Sequence, residues 1–210
     1  NVLNVNDLQG IEILKGPDGS LFGANSGGVV LLKSNTNSQP TFNVNAYGGS
    51  YGLFGNSFYL ARNSGNHFWT LRQSYQRTDG YRENTKNYRL FFQASDHWQY
   101  TKNNFLEAYV FYSDLDYHTP GGLTEDQYNE DRRQSRPPTK TMPGSKEQRT
   151  RISTRMYFGG IRHKTHFTSH LSHTVSLWGK HVDFVYPFIT NYESRKENNW
   201  GFRTYFTLAN

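Results

Sequence analysis

The chain has 210 residues, with 23 Lys and Arg against 17 Asp and Glu for a formal net charge of +6, but only 34% of it is apolar; 16% is aromatic, with 15 Tyr and 15 Phe beside 19 Gly. So small an aliphatic stock excludes an ordinary globular core, and aromatics on this scale exclude a disordered chain. A helical membrane protein is excluded as well, because the longest aliphatic run is Val29 to Leu32 and a spanning helix needs roughly twenty apolar residues. The mean hydropathy of −0.83 agrees. The absence of cysteine removes disulfide scaffolds, thiolate nucleophiles and thiolate metal sites. A transmembrane β-barrel fits what remains, since its strands alternate lipid-facing apolar with lumen-facing polar residues and carry aromatics at both membrane interfaces.

Residues Ile11 to Lys15 predict a short strand, Gly16 to Gly19 a turn around Pro17, and Leu21 to Ser26 a compact connection. Gly27 and Gly28 lead into Val29 to Lys33, an apolar run of the kind buried on both faces. Gly23, Gly27 and Gly28 are read as positions of positive φ or close backbone approach. The polar, proline-ended stretch from Asn35 to Pro40 marks a boundary, giving one domain over 1–35, a linker over 36–40 and a second domain over 41–210.

Beyond Pro40 the pattern alternates. Phe42, Val44 and Ala46 share a face; a strand follows near Leu53 to Arg62, then a tight turn at Asn63 to Asn66. Trp69, Leu71 and Tyr75 form the next apolar face and, after a polar tip over 78–85, so do Tyr88, Leu90, Phe92 and Ala94. Ser95 to His97 predicts a turn, and Leu106, Ala108, Val110 and Tyr112 a fifth strand. Residues 113–148, with four prolines and almost no aliphatic side chain, predict a long loop. Such a loop is out of place in a compact domain but expected on the extracellular side of a barrel. Ile152, Thr154, Met156 and Phe158 then read as an apolar face opposite Arg151, Ser153, Arg155 and Tyr157, which places Arg151 and Arg155 toward the lumen. A turn near 164–169, an apolar face of Leu171, His173, Val175 and Leu177, a loop around 183–198 and the series Trp200, Phe202, Thr204, Phe206 and Leu208 complete about eight strands of roughly nine to eleven residues.

The combination Ile11-Glu12-Ile13-Leu14-Lys15-Gly16-Pro17, Ser20-Leu21-Phe22-Gly23 and Gly27-Gly28-Val29-Val30-Leu31 resembles the end of the plug domain of TonB-dependent outer-membrane receptors. The resemblance implies an all-β membrane protein: the C-terminal part of a plug, then about eight antiparallel strands of a 22-stranded transmembrane β-barrel with the plug in its lumen. It further implies that the chain is a piece of a longer receptor, without the energy-coupling box and most of the plug. The tract from Tyr117 to Thr124, continuing through Tyr128 and Arg132 to Pro137, resembles the long loop of receptors of the ferric citrate type.

Charge points the same way. Between Arg132 and Lys164 ten basic residues stand against one acid, Glu147, so the positive excess of the whole chain is concentrated in this loop and the strand it feeds. Such a patch concentrates anions, and the planar guanidinium fork suits carboxylates. The expected ligand-binding residues are therefore Arg132, Arg133, Arg136, Arg151 and Arg155, and the resemblance adds Tyr117 and His118 from the loop and Phe22 from the plug's aromatic-glycine step. The other uses of these arginines are a solvated face or contact with lipopolysaccharide.

His163, His166, His170 and His173 have helix-like spacing, but they fall on a predicted turn and strand, so no metal site is expected. Basic residues among Tyr and Phe imitate a nucleic-acid platform, yet those aromatics repeat where lipid faces and girdles belong, so no nucleic acid is expected. No Walker loop, His-Glu-x-x-His or Gly-x-Ser-x-Gly occurs, and neither catalysis nor a cofactor is expected. The reading is a receptor of the Gram-negative outer membrane that imports a ferric siderophore or ferric citrate with a TonB-type complex. An importer of another nutrient, a passive porin or adhesin, and a soluble all-β module are the alternatives.

Overall fold

A computed structural model of the chain describes residues 8–16, 22, 27–34, 40–188 and 190–209. The predicted turn at Pro17 to Gly19, most of the connection over 20–26 and the linker residues 35–39 lie outside the described residues. The chain divides into two units, one within residues 3–38 and the other from residue 39 onward.

The first unit holds β1 (Leu8–Leu14) paired antiparallel with β2 (Val29–Ser34). Ile11 lies opposite Leu32 and Ile13 opposite Val30, and all four are exposed, so the apolar run is not buried on both faces as expected. The physical reason is that a lone pair of strands covers neither of its faces. Of the glycines, Gly28 has φ +105° and a Cβ there would meet the Leu14 carbonyl oxygen at 2.5 Å, whereas Gly27 has neither a positive φ nor a close neighbour.

The second unit is a meander of eight strands, β3 (Thr41–Gly49), β4 (Leu53–Ser64), β5 (His67–Thr78), β6 (Asn87–Thr101), β7 (Asn104–His118), β8 (Arg151–His166), β9 (Leu171–Pro187) and β10 (Tyr192–Leu208), each paired antiparallel with its neighbour in sequence. The sheet is open. Two helices interrupt the long connection after β7: α1 (Glu125–Glu130) and α2 (Ser145–Gln148).

Cross-strand register sorts every strand residue onto one of two faces. One face carries Phe42, Leu60, Leu71, Phe92, Val110, Ile161, Leu177 and Phe202, and most of these side chains are exposed. The other carries Thr70, Arg72, Ser74, Gln93, Ser113 and Thr174, and every buried strand residue among those described lies on it. An exposed apolar face opposite a buried polar one inverts the arrangement of a soluble sheet and is that of a barrel wall.

The strands are longer than expected, up to 17 residues in β9 and β10. Three predicted irregular stretches are strand instead. Ser95, Asp96 and His97 belong to β6, where Ser95 Oγ lies 2.7 Å from Thr70 Oγ1, Asp96 2.8 Å from His67 and His97 3.1 Å from Glu107. The long connection begins after His118 rather than at residue 113. The expected loop around 183–198 shrinks to residues 188–191: Asp183 lies opposite Lys196 across the ladder, and Arg195 bonds its neighbours along the same strand, Glu193 at 2.6 Å and Glu197 at 2.8 Å. Polar side chains that satisfy one another across a ladder look like turn residues in sequence.

Replacing Gly28 by Ala puts a methyl group against a carbonyl at a left-handed position, at a cost of about 1–3 kcal/mol. Amide exchange across the β1–β2 ladder in the full-length protein is expected to quicken about ten- to hundredfold; unchanged exchange contradicts the close approach.

Candidate functional site

Basic charge gathers at the sheet end that bears the long connection. The β5–β6 tip, residues 79–86, reaches into that connection and holds it. Asn84, in the left-handed region at φ 54°, donates through Nδ2 to the carbonyls of Thr119 (2.9 Å) and Thr150 (3.0 Å), while its Oδ1 lies 2.9 Å from His118 Nδ1. Arg82 donates to the Gln134 carbonyl at 2.9 and 3.1 Å and to the Gly121 carbonyl at 3.0 Å. The Glu83 amide donates to the Arg133 carbonyl, and its carboxylate pairs with Lys146 at 2.6 Å. The Lys146 ammonium and the Ser135 amide hold the Glu83 carboxyl below the usual carboxylate range.

Within the connection, Gly121 sits at φ +75°, where a Cβ would strike the Arg136 side chain and Ser145 Oγ at 2.8 Å. Thr124 caps α1: its hydroxyl accepts from the Gln127 amide, and the Gln127 side chain accepts from the Thr124 amide at 3.0 Å. The 32 residues between β7 and β8 thus form a hydrogen-bonded body, with a cleft of about 570 Å³ between the tip and the start of the connection. Tyr81, Arg82, Leu123, Thr124, Glu125, Tyr128 and Arg132 line it.

The expected ligand residues separate into groups. Arg132 and Arg133 are exposed, Arg132 in the lining of this cleft with its guanidinium carbon 5.2 Å from the Tyr128 ring centre, and Arg133 with its own 5.9 Å from that of Tyr81. Arg136 is half-buried and bonds the carbonyls of Pro137 and Pro143, which ties its guanidinium into the body of the loop. Tyr117 and His118 are the last residues of β7, not loop residues, and point to opposite faces; His118 serves Asn84 and lies 3.3 Å from Asp116. Phe22 is exposed and belongs to the other unit.

Arg151 and Arg155 are a correction. Register puts them on the apolar face, in ion pairs with Asp116 (3.4 Å) and Asp114 (3.6 Å), not on the polar face expected for them. Ile152, Thr154, Met156 and Phe158 take the polar face instead, where Phe158 stacks on Phe111 at 5.2 Å and Phe111 on the buried Phe91 at 5.8 Å. Beyond the apolar band the outward side of a barrel wall meets water, so charge is at home there and the alternation reverses its meaning. The row Asp114, Arg155, Asp183 and Lys196 runs opposed in sign across four strands, above the apolar row Val110, Gly159, Gly179 and Trp200.

The four histidines do not converge. β8 extends to His166, so His163 and His166 are strand residues on opposite faces, and among the described residues no group of three His, Asp or Glu is arranged to hold a metal ion. A larger depression of about 750 Å³ lies on the apolar face against Leu71, Phe92, Val110 and Tyr157, a surface suited to hydrocarbon rather than to an anion.

The sequence reading missed Tyr81, Arg82, Glu83 and Asn84. They sit in a short polar tip that looks like an ordinary turn; only the adjacent Tyr-Arg pair hints at more.

No protein-family model matches the chain, and no curated protein matches it in sequence. Solved structures match it in fold. The unliganded ferric citrate transporter FecA superposes with a TM-score of 0.71 over 98% of this chain at 17% identity. The ferric-catecholate import receptor Fiu of E. coli K12, in its open form, gives 0.67 over 92% at 13%, and the siderophore receptor PiuA of Acinetobacter baumannii 0.63 over 86% at 14%. This is the fold of the TonB-dependent receptors. The chain spans 30%, 34% and 27% of the lengths of those three proteins, and its eight-stranded sheet does not close.

Asn84→Ala is expected to open residues 119–150 to chymotrypsin in the full-length protein, and Lys140→Ala, at an exposed loop residue that chymotrypsin does not cleave, to leave protease resistance unchanged. Equal resistance in all three proteins contradicts the role of the tip. The lowered Glu83 carboxyl gives a pH signature. Its contribution is complete above the ordinary carboxylate value of 4.5 and is lost as pH falls through the lowered value, so loop protection is expected to hold from neutral pH to 4.5 and to weaken only below it.

Proposed function

We propose that the chain is part of an outer-membrane receptor that imports a ferric chelate, with residues 1–35 the end of a plug, 36–40 a linker and 41–210 the first barrel strands. The observation that carries the reading is a set of guanidiniums on an ordered loop body: Arg82, Arg132, Arg133 and Arg136 bond carbonyls or lie over tyrosine rings, and none has a carboxylate partner among the described residues. Uncompensated arginines held in fixed directions form an anion-binding surface. The loop body is then extracellular, the apolar face meets outer-membrane lipid, and the outward charge row lies at the level of lipid headgroups and lipopolysaccharide.

In this reading the receptor binds the chelate and does no chemistry on it. Arg132 and Arg133 receive the anion, while Arg136 holds the loop. Tyr117, at the end of β7, is a further contact of the chelate. A TonB-type complex, reached through plug sequence outside this chain, supplies the energy for plug rearrangement. The fold shared with a ferric citrate transporter, a ferric-catecholate import receptor and a siderophore receptor supports this class of ligand.

Fluorescence titration of the full-length protein in detergent tests it. Ferric citrate or ferric 2,3-dihydroxybenzoate is expected to quench saturably, and Arg132→Gln with Arg133→Gln to weaken binding about tenfold, roughly 1.4 kcal/mol. Arg155→Gln is expected to bind as wild type, because Arg155 faces outward beside Asp114. Failure to bind either chelate, or full affinity in the double variant, contradicts the proposal.

A further inference from the structure

The apolar face differs at its two ends. At the end that bears the long connection its charges answer one another, with Arg151, Arg155 and Lys196 set against Asp116, Asp114 and Asp183. At the short-turn end the same face carries Arg62, His67, His163 and His173 but, among the described residues, a single carboxylate. That carboxylate, Asp96, is already engaged, 2.8 Å from His67 Nδ1. Arg62 is exposed on β4 opposite Trp69 and has no carboxylate partner among the described residues.

Aromatic rings hold the imidazoles in place. His67 stacks on Trp98 with centroids 5.2 Å apart at 8°, Trp98 lies 5.3 Å from Tyr100, and Tyr100 reaches over β7 to stack on His163 at 5.9 Å. One file of four rings thus crosses from β5 to β8, and on β9 His173 stacks on Phe206 at 4.4 Å. His163 Nε2 lies 2.6 Å from the Tyr100 hydroxyl and His173 Nε2 2.8 Å from that of Thr204. With those hydroxyls donating, the proton of each imidazole sits on Nδ1, which has no partner among the described residues and is free to donate.

Toward the middle of the sheet the next row is apolar, with Ala108, Ile161, Leu177 and Phe202 in register. A ligand of this surface therefore lays hydrocarbon on that row and sets negatively charged oxygens against the belt of rings and cations, and a phosphodiester attached to acyl chains has that form. The charges select its class. A zwitterionic head group brings an ammonium for which no unengaged carboxylate is at hand, whereas an anionic head group needs only the cations and donors present. We propose that the short-turn end of this face binds the head groups of anionic phospholipids. Arg62 and His67 stand on neighbouring strands, as do His163 and His173, so the belt takes a phosphate at each pair. The proposal rests on reading the apolar face as a membrane wall, in which this end lies at the periplasmic leaflet, and is independent of the ligand of the loop body.

Native mass spectrometry of the full-length protein, released from detergent with phosphatidylglycerol or with phosphatidylcholine of identical chains, tests it. Wild-type protein is expected to retain about fivefold more phosphatidylglycerol than phosphatidylcholine. Arg62→Gln with His163→Gln is expected to cut phosphatidylglycerol retention about fivefold and to leave phosphatidylcholine within about twofold, and Arg155→Gln, at the other end, to retain both as wild type does. Equal retention of the two lipids by wild type, undiminished phosphatidylglycerol in the double variant, or an equal fall in Arg155→Gln overturns the proposal, and each leaves the membrane-wall and chelate readings standing. Wild-type protein that floats with vesicles of neither lipid overturns the membrane-wall reading and the lipid site with it.

Discussion

Everything in the larger unit depends on the unbroken pairing of eight strands. Each strand lies antiparallel to the one before it, and the single irregularity in this sheet falls between Gln99 and Thr101, at the end of β6. Because side chains alternate with a period of two, one slipped residue anywhere in the middle of this ladder exchanges the two faces of every strand beyond it. None slips. Phe42 on β3 and Phe202 on β10 therefore share a face, and Thr70 and Thr174 share the other. That register turns a chain poor in aliphatic residues into a wall with a hydrocarbon-compatible side, and it fixes which charged residues stand outside and which side chains crowd within.

The second constraint is local. A long connection in water orders itself only if its backbone groups find partners, and here the partners come from another loop. Asn84 bonds both the first and last residues of the connection, Thr119 and Thr150, which also bond each other, and Arg82 ties its middle at Gln134. Arginines on such a body are presented in fixed positions. The positive excess legible in the sequence thus becomes a directed surface, in which Arg132 and Arg133 lie beside tyrosine rings while Arg136 is occupied inside.

Much of this was readable from residues alone, because the signal and its cause are both local. The apolar series Leu106, Ala108, Val110 and Tyr112 alternates within one strand, and the turn at Gly65 carries its own chemistry, so fold class and strand number follow. Where the cause lies across the sheet the sequence misleads. Asp183 and Lys196 resemble loop residues until they are placed opposite each other, and Ser95 resembles a turn until Thr70 is beside it. Arg155 shows the deeper limit. Alternation tells which residues share a face, but whether that face meets lipid or water depends on height along the strand, which only the assembled register supplies. The contribution of Asn84 was invisible for the same reason, since its partners are 34 to 66 residues away.

Transport by living cells tests the ferric-chelate reading most directly. Iron-starved cells carrying the full-length gene should take up radioactive iron from a ferric chelate with saturable kinetics, and should stop when the gene is deleted or the proton gradient is collapsed, while surface binding persists without the gradient. Uptake that survives deletion of the gene, or a permeability to small solutes that neither saturates nor needs the gradient, contradicts it.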